Sequence, residues 1–416
     1  MTRFKPILIG ALGLVLAGGV AHALEVDPKV APEINFFGRA LATANYTDKD
    51  LGAAGDDSGA DADIFDSSLV FGFSKYLFND TDYGFATFGL SIPEDDSDLN
   101  DDIFLHQLQI GIGGSNSELM LGRSRLPANT LIQFPTIRDD DLLDFTHVAN
   151  ASSNREAEED TIYGGQLRGT LYWPGTSFFS FAALTARVET DVANLADTAR
   201  KSSTNLNGLS AGLAYDVPEA IKFDSGVRYA GVAFDVQQVD ELSGTGEDEL
   251  IALLGGLSYN LTDNPERAWA LDLQGIYIFG ISAPGLAGPV TRARAESWSV
   301  AAALRFARRP YLQTKWQAAL TVALKDYSDF DDATSFALAP SIAWRLGSGI
   351  EALAQYRFVA NDGVLGAGLG LNSSHHVSFG LSFSFDATFN ESVGQRNAIL
   401  NLEHDMLDNG PILGGH

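Results

Sequence analysis

Residues 377–385 read Val-Ser-Phe-Gly-Leu-Ser-Phe-Ser-Phe. Large apolar side chains hold every odd position, and serine or glycine every even one. Successive side chains of a strand point to opposite faces, so this stretch is expected to be a strand with one apolar and one polar side. The pattern recurs upstream. Trp298, Val300, Ala302, Leu304 and Phe306 oppose Ser297, Ser299 and Arg305. Leu312, Trp316, Leu320, Val322 and Leu324 oppose Gln313, Lys315, Gln317, Thr321 and Lys325. Phe336, Leu338, Ile342 and Trp344 oppose Ser335, Ser341 and Arg345. The chain is thus expected to be all-β from residue 33. A soluble sandwich and a barrel in lipid write the same alternation, so periodicity leaves both open.

Connection lengths separate them. Sixteen strands are expected, at 34–45, 67–77, 84–92, 103–113, 118–124, 161–172, 178–188, 208–216, 221–232, 250–260, 268–279, 295–307, 311–327, 334–346, 350–359 and 375–385. One set of connectors is long and polar: 46–66, 93–102, 125–160, 189–207, 233–249, 280–294 and 360–374, with 328–333 its one short member. The alternate set is short: 78–83, 114–117, 173–177, 217–220, 261–267, 308–310 and 347–349. A soluble sandwich has no reason to sort its loops this way. A transmembrane antiparallel β-barrel does, with short periplasmic turns and long extracellular loops. Beyond the N-terminal segment there is no apolar run long enough for a membrane helix, and a closed barrel is the other structure that satisfies every backbone group in lipid.

The N-terminus carries Arg3 and Lys5, an apolar run from Ile7 to Val20, and Ala21-His22-Ala23. This reads as a secretory signal peptide over 1–23, leaving a barrel over 24–385 and a periplasmic tail over 386–416. A membrane anchor is the alternative, but the apolar core is short for one. In the tail, Ile399, Leu402 and Met406 are spaced for one face of a short helix; an unstructured tail is the alternative. The formal charge is −27. It argues against a nucleic-acid partner. Mean hydropathy near zero suits a barrel, where every second strand residue faces lipid. The absence of cysteine excludes a disulfide framework and thiolate chemistry.

With odd strands running outward, Trp173, Trp269, Tyr311, Trp344 and Phe385 all fall near the rim of short turns. Aromatic rings prefer the headgroup level of a bilayer and form girdles there. Phe383 and Phe385 also end the last strand, which resembles the terminal strand of outer-membrane proteins. That resemblance implies recognition by the barrel-assembly machinery, although here a tail follows the final Phe.

Further motifs resemble the general porins of Gram-negative bacteria: Phe37-Gly38-Arg39 in the first strand, Gly72-Phe73 before the turn at 78–83, Leu121-Gly122-Arg123 before the longest connector, and Asp160-Thr161-Ile162-Tyr163 after it. The enterobacterial Pro-Glu-Phe-Gly-Gly signature is absent, which marks a divergent member. The resemblance implies a homotrimer in outer-membrane lipid and lipopolysaccharide. It implies a third loop folded into the lumen, whose acidic residues face basic ones on the wall. Asp139, Asp140, Asp141 and Asp144 would form the acidic side, and Arg39, Arg123 and Arg168 the basic one. A solvated acidic loop outside the barrel is the alternative for 138–144. Opposed charges across a narrow aqueous gap orient dipolar solutes and penalise apolar ones.

The expected function is passive diffusion of small hydrophilic solutes and ions, with a cation preference drawn from the net acidity and no cofactor. A substrate-specific channel for sugars or carboxylates, and a non-conducting adhesin or structural barrel, are the alternatives. The acidic outer connectors, with Asp48, Asp50, Asp56, Asp57, Asp61 and Asp63 in the first, match no calcium loop, so no metal is expected. His106, His147, His375 and His376 sit in no nucleophile motif, so an enzyme is not expected.

Overall fold

The computed structural model describes residues 33–76, 82–92, 104–113, 117–123, 132, 134–135, 137, 142–148, 166–172, 178–190, 202–216, 226–240, 247–264, 266–280, 292, 294–310, 314–347 and 349–389. Sixteen strands are described. They are β1 (Glu33–Asp50), β2 (Asp56–Tyr76), β3 (Tyr83–Ile92), β4 (Phe104–Gly113), β5 (Ser117–Arg123), β6 (Gln166–Tyr172), β7 (Phe178–Thr190) and β8 (Ser202–Asp216), followed by β9 (Gly226–Asp240), β10 (Glu247–Asn260), β11 (Arg267–Phe279), β12 (Ser297–Arg308), β13 (Trp316–Tyr327), β14 (Thr334–Gly347), β15 (Ile350–Asn361) and β16 (Ser373–Phe389). Each is antiparallel to its sequence neighbours, and β1 pairs β16 from Ile34↔Phe389 to Asp50↔Ser373. That seam leaves no sheet edge unpaired in the strand order.

Two α-helical turns are described, α1 (Leu143–Thr146) and α2 (Gly363–Leu369). No described helix is long and apolar enough to cross a membrane. The segment read as a signal and the helical spacing read in the tail lie outside the described residues.

The two faces of the sheet are sorted against the habit of a water-soluble protein. In β12 the buried positions are Ser297, Ser299, Ala301, Ala303, Arg305 and Ala307, while Trp298, Val300, Ala302, Leu304 and Phe306 look outward. In β16 the outward residues Phe379 and Phe383 are 62% and 50% exposed, whereas Ser378 and Ser382 are buried. Apolar side chains left this exposed over many adjacent strands need an apolar solvent to hold them.

The strands differ from the sequence expectation at the rim of long connectors. The connector expected at 46–66 shrinks to 51–55, because β1 continues to Asp50 and β2 begins at Asp56. Residues Asp56 to Ala62 are exposed. This hairpin has no apolar face to bury, so the two-residue period vanishes while the backbone ladder persists. The connector expected at 233–249 likewise narrows to 241–246 between β9 and β10. The last strand runs to Phe389, four residues beyond its expected end at Phe385.

Candidate functional site: the interior of the barrel

The connector after β5 does not stay at the rim. Its described part, between Ile132 and Val148, lies against the inner wall. Ile132, Phe134, Leu142, Phe145 and Val148 pack in one buried cluster with Leu250, Leu254, Ile276, Ile278, Ala301, Ala303, Ala323, Ala337 and Ala339. Ile137 packs with Leu41, Ala343 and Leu353. The segment leaves from β5 and returns to β6, yet it seats on β9–β15 and touches β1. That is the far side of the strand order, so the chain crosses the interior.

Inward alanines make the seat. A polar wall would have to give up water to take apolar loop side chains, whereas methyl groups lose nothing and leave room for Phe and Ile. Hydrogen bonds fix the segment's level. The Ile137 N–H donates to Gln355 Oε1 (2.8 Å), Gln274 Nε2 to the Thr146 carbonyl (2.6 Å), Ser299 Oγ to the Phe145 carbonyl (2.8 Å) and Ser341 Oγ to the Pro135 carbonyl (3.3 Å). α1 adds a bond from Thr146 Oγ1 to the Leu142 carbonyl (2.8 Å). Wall polar groups thus bind loop backbone that would otherwise be buried unpaired.

Charged side chains line the inner wall. Among the described residues its cations include Arg39, Arg228, Arg305, Arg309 and Lys325, all buried, with the half-buried Arg345 and Arg357; Arg294, in the connector before β12, is buried as well. The anions are Glu33, Asp235, Asp272 and Glu351. Arg305 and Asp272 form an ion pair, both wholly buried, with Arg305 Nε 2.7 Å from Asp272 Oδ2. Ser258 Oγ donates to the other carboxylate oxygen (2.6 Å). Arg345 Nη2 lies 3.1 Å from Glu351 Oε1.

The sequence-based site residues divide as follows. Arg39 points inward beside Ser382, with Nε 3.5 Å from Oγ. Arg123 ends β5 opposite Leu108, and Arg168 pairs Met120 and Ala183; their side chains are outside what is described. Asp139, Asp140 and Asp141 are outside the described residues. Asp144 is in α1, its side chain undescribed. Sequence reasoning missed Arg228 and Arg309, the first amid apolar neighbours and the second in a turn.

At the rim of short turns, Trp269, Trp344, Phe383 and Phe385 face outward. Trp269, Phe306 and Trp316 form a row with centroids 4.8 and 5.0 Å apart, and Trp316 is the register partner of Trp344. Trp173 and Tyr311 lie outside the described residues. His376 faces inward between Thr47 Oγ1 (3.0 Å) and Ser378 Oγ (2.7 Å). This Ser–His contact has a hydroxyl where a catalytic triad has a carboxylate. Among the described residues there is no group of three His, Cys, Asp or Glu placed to hold a metal.

The fold has counterparts among solved structures. The anion-selective porin from Comamonas acidovorans superposes with a TM-score of 0.58 at 14% identity, over 85% of this chain and 100% of that one. The outer-membrane channel DcaP of Acinetobacter baumannii gives 0.57 at 12%, over 88% and 100%. Salmonella typhi OmpF, in complex with daunomycin, gives 0.56 at 10%, over 85% and 97%. The fold is porin-like. At these identities the likeness concerns the fold alone. No known sequence family matches the chain, and no curated protein does. The strand order makes the connector after β5 the third of the long set, the one expected to enter the interior.

Proposed function

We propose that this chain is an outer-membrane channel for passive diffusion of small hydrophilic solutes and ions. The observation that carries the reading is the inversion of the two faces. An apolar exterior ringed with aromatics suits a bilayer, and a polar interior suits a permeating aqueous solute. In this reading the short turns lie in the periplasm and the long connectors outside the cell. The segment between Ile132 and Val148 narrows the passage and sieves by size. Asp139, Asp140, Asp141 and Asp144 belong to that constriction, opposite Arg39, Arg123 and Arg168. The signal over 1–23 is removed on export, and the chain works as a homotrimer. No energy source is needed, because solutes follow their own gradients.

Planar-bilayer recording of the purified protein tests the reading. Open, ohmic steps are expected. No conductance over many insertions would refute it and favour a binding role for the acidic outer connectors. A current that saturates and is blocked by one solute class would replace it with a substrate-specific channel.

A further inference from the structure

We infer that the outer face of β11 and β12 holds a site for one anionic phospholipid. Its phosphate lies between Arg267 and Arg308 at the rim of short turns, and an acyl chain runs to a groove deeper along the same strands. The inference rests on the membrane reading above, in which that face meets lipid and that rim lies in the periplasm. It adds a specific ligand on the outside of the barrel.

Arg267 opens β11 and Arg308 closes β12, and the two are direct register partners. Both are exposed. The strand period sends them outward, because Trp269 and Phe306, the next outward residues on the two strands, form the aromatic pair of this rim. Among the described residues neither guanidinium has an ion-pair or hydrogen-bond partner. The acids of the preceding turn, Asp263 and Glu266, are exposed and pair with neither arginine. Like charges directly opposite on adjacent strands repel. An anion between them removes that repulsion, and a phosphate accepts from two guanidinium forks at once. The aromatic pair sets the level. Tryptophan rings sit among headgroups, so arginines one outward step beyond them reach the phosphate layer.

Further along the two strands the outward partners are Leu271 with Leu304, Leu273 with Ala302, and Gly275 with Val300. At that last level Gly275 also faces Gly255 of β10. Two side chains are thus missing side by side, and an apolar groove of about 830 Å³ lies over them, bordered by Leu257, Leu273 and Val300. A Cβ at Gly255 would meet nothing within 4 Å, and one at Gly275 only the Ser299 carbonyl oxygen at 3.9 Å. The packing of the barrel therefore requires neither glycine, although glycine weakens a strand interior. The groove begins roughly 20 Å along the strand from Arg267, and strand tilt makes its depth in the bilayer less than that. An acyl chain whose phosphate sits on the arginines reaches it. A free phosphate would use the arginines alone; the apolar groove in line with them makes the ligand a lipid.

Tryptophan quenching by chain-brominated lipids tests this, with the purified protein folded into phosphatidylcholine liposomes. Brominated phosphatidylglycerol is expected to associate several-fold more strongly than brominated phosphatidylcholine, with a preference that falls as salt rises. Equal quenching by the two lipids overturns the inference while the membrane reading stands; quenching by neither defeats both. The double variant Arg267→Gln with Arg308→Gln is expected to lose the preference and keep the quenching by phosphatidylcholine. Lys49→Gln removes an exposed cation at the opposite rim and is expected to change nothing. An equal loss in the two would reduce the effect to overall charge and overturn the site. Gly255→Leu fills the groove and is expected to weaken phosphatidylglycerol association without abolishing its salt dependence. An unchanged association overturns the place given to the acyl chain. The chain's own acidic tail is the competing occupant. A wild type without preference that gains one on Glu403→Gln, Asp405→Asn and Asp408→Asn would assign the arginines to the tail and overturn the lipid site. Should the arginine variant fail to fold, the wild-type comparison of the two lipids decides alone.

Discussion

The ring of Phe385 lies across Gly38, so close that a Cβ added to the glycine would overlap the ring's Cζ. The two are register partners on the β1–β16 seam, and Phe36 stacks on the same ring with centroids 5.2 Å apart. A ring covering a bare glycine backbone is a recurrent way to hold a strand pair in register. Gly38→Val should therefore impair closure. The measurement is the fraction of protein that folds into liposomes as a heat-modifiable band. Gly255 on β10 has open space where a Cβ would stand, so Gly255→Ala should fold as wild type. Equal behaviour of the two variants would show that the Gly38–Phe385 contact does not guide closure.

Much of the fold could be read from the alternation between 297 and 385, because there each strand has lipid-suited residues on one side and polar ones on the other. It failed at 46–66, where both sides of the hairpin meet water and no period is required. The charge of Arg305 was legible from parity alone, since it shares a face with Ser297 and Ser299. The dock of the third long connector was not. Its signal was present as inward alanines at 301, 303, 323, 337 and 339, which are conspicuous only once a polar inner face is the norm. Which loop residue meets which alanine depends on contacts more than a hundred residues apart, and no local period encodes those.

The inserted segment is held by apolar contacts and a few wall hydrogen bonds, so it should be releasable without unfolding the barrel. Phe145→Ser together with Ile137→Ser removes its two anchors, in the clusters around Ala301 and Leu353. Burial of such side chains contributes about 1.5–3 kcal/mol each, enough to loosen the segment. Single-channel conductance is expected to rise in the double variant, with greater permeability to large neutral sugars. A conductance equal to wild type would mean that the segment does not limit flow.

Asp272 is buried between Arg305 and Ser258. Removing one partner of a buried ion pair leaves an uncompensated charge and costs about 3–5 kcal/mol. Asp272→Asn should lower stability by that order in urea unfolding from liposomes. The double change Asp272→Asn with Arg305→Gln should recover much of the loss. Should the double variant be as unstable as the sum of the singles, the pair would not be coupled in the folded barrel.

The inverted faces make a prediction that only a bilayer-spanning barrel satisfies. Leu320 lies near the middle of β13, faces outward, and sits between Leu304 and Pro340 on the neighbouring strands. Leu346 is also outward and exposed, but it is the penultimate residue of β14, at the rim of short turns. In water the two sites are equivalent, and a surface arginine at either costs little. In lipid they differ. An arginine at the bilayer midplane costs about 2–4 kcal/mol, and near the interface about 0–1 kcal/mol, because its side chain reaches the headgroups. Leu320→Arg should therefore lower the free energy of folding into liposomes by several times the effect of Leu346→Arg, as followed by tryptophan fluorescence in a urea titration. In detergent micelles, which deform around a charge, the gap should narrow. Equal costs in liposomes would mean that the apolar face is covered by something other than a membrane.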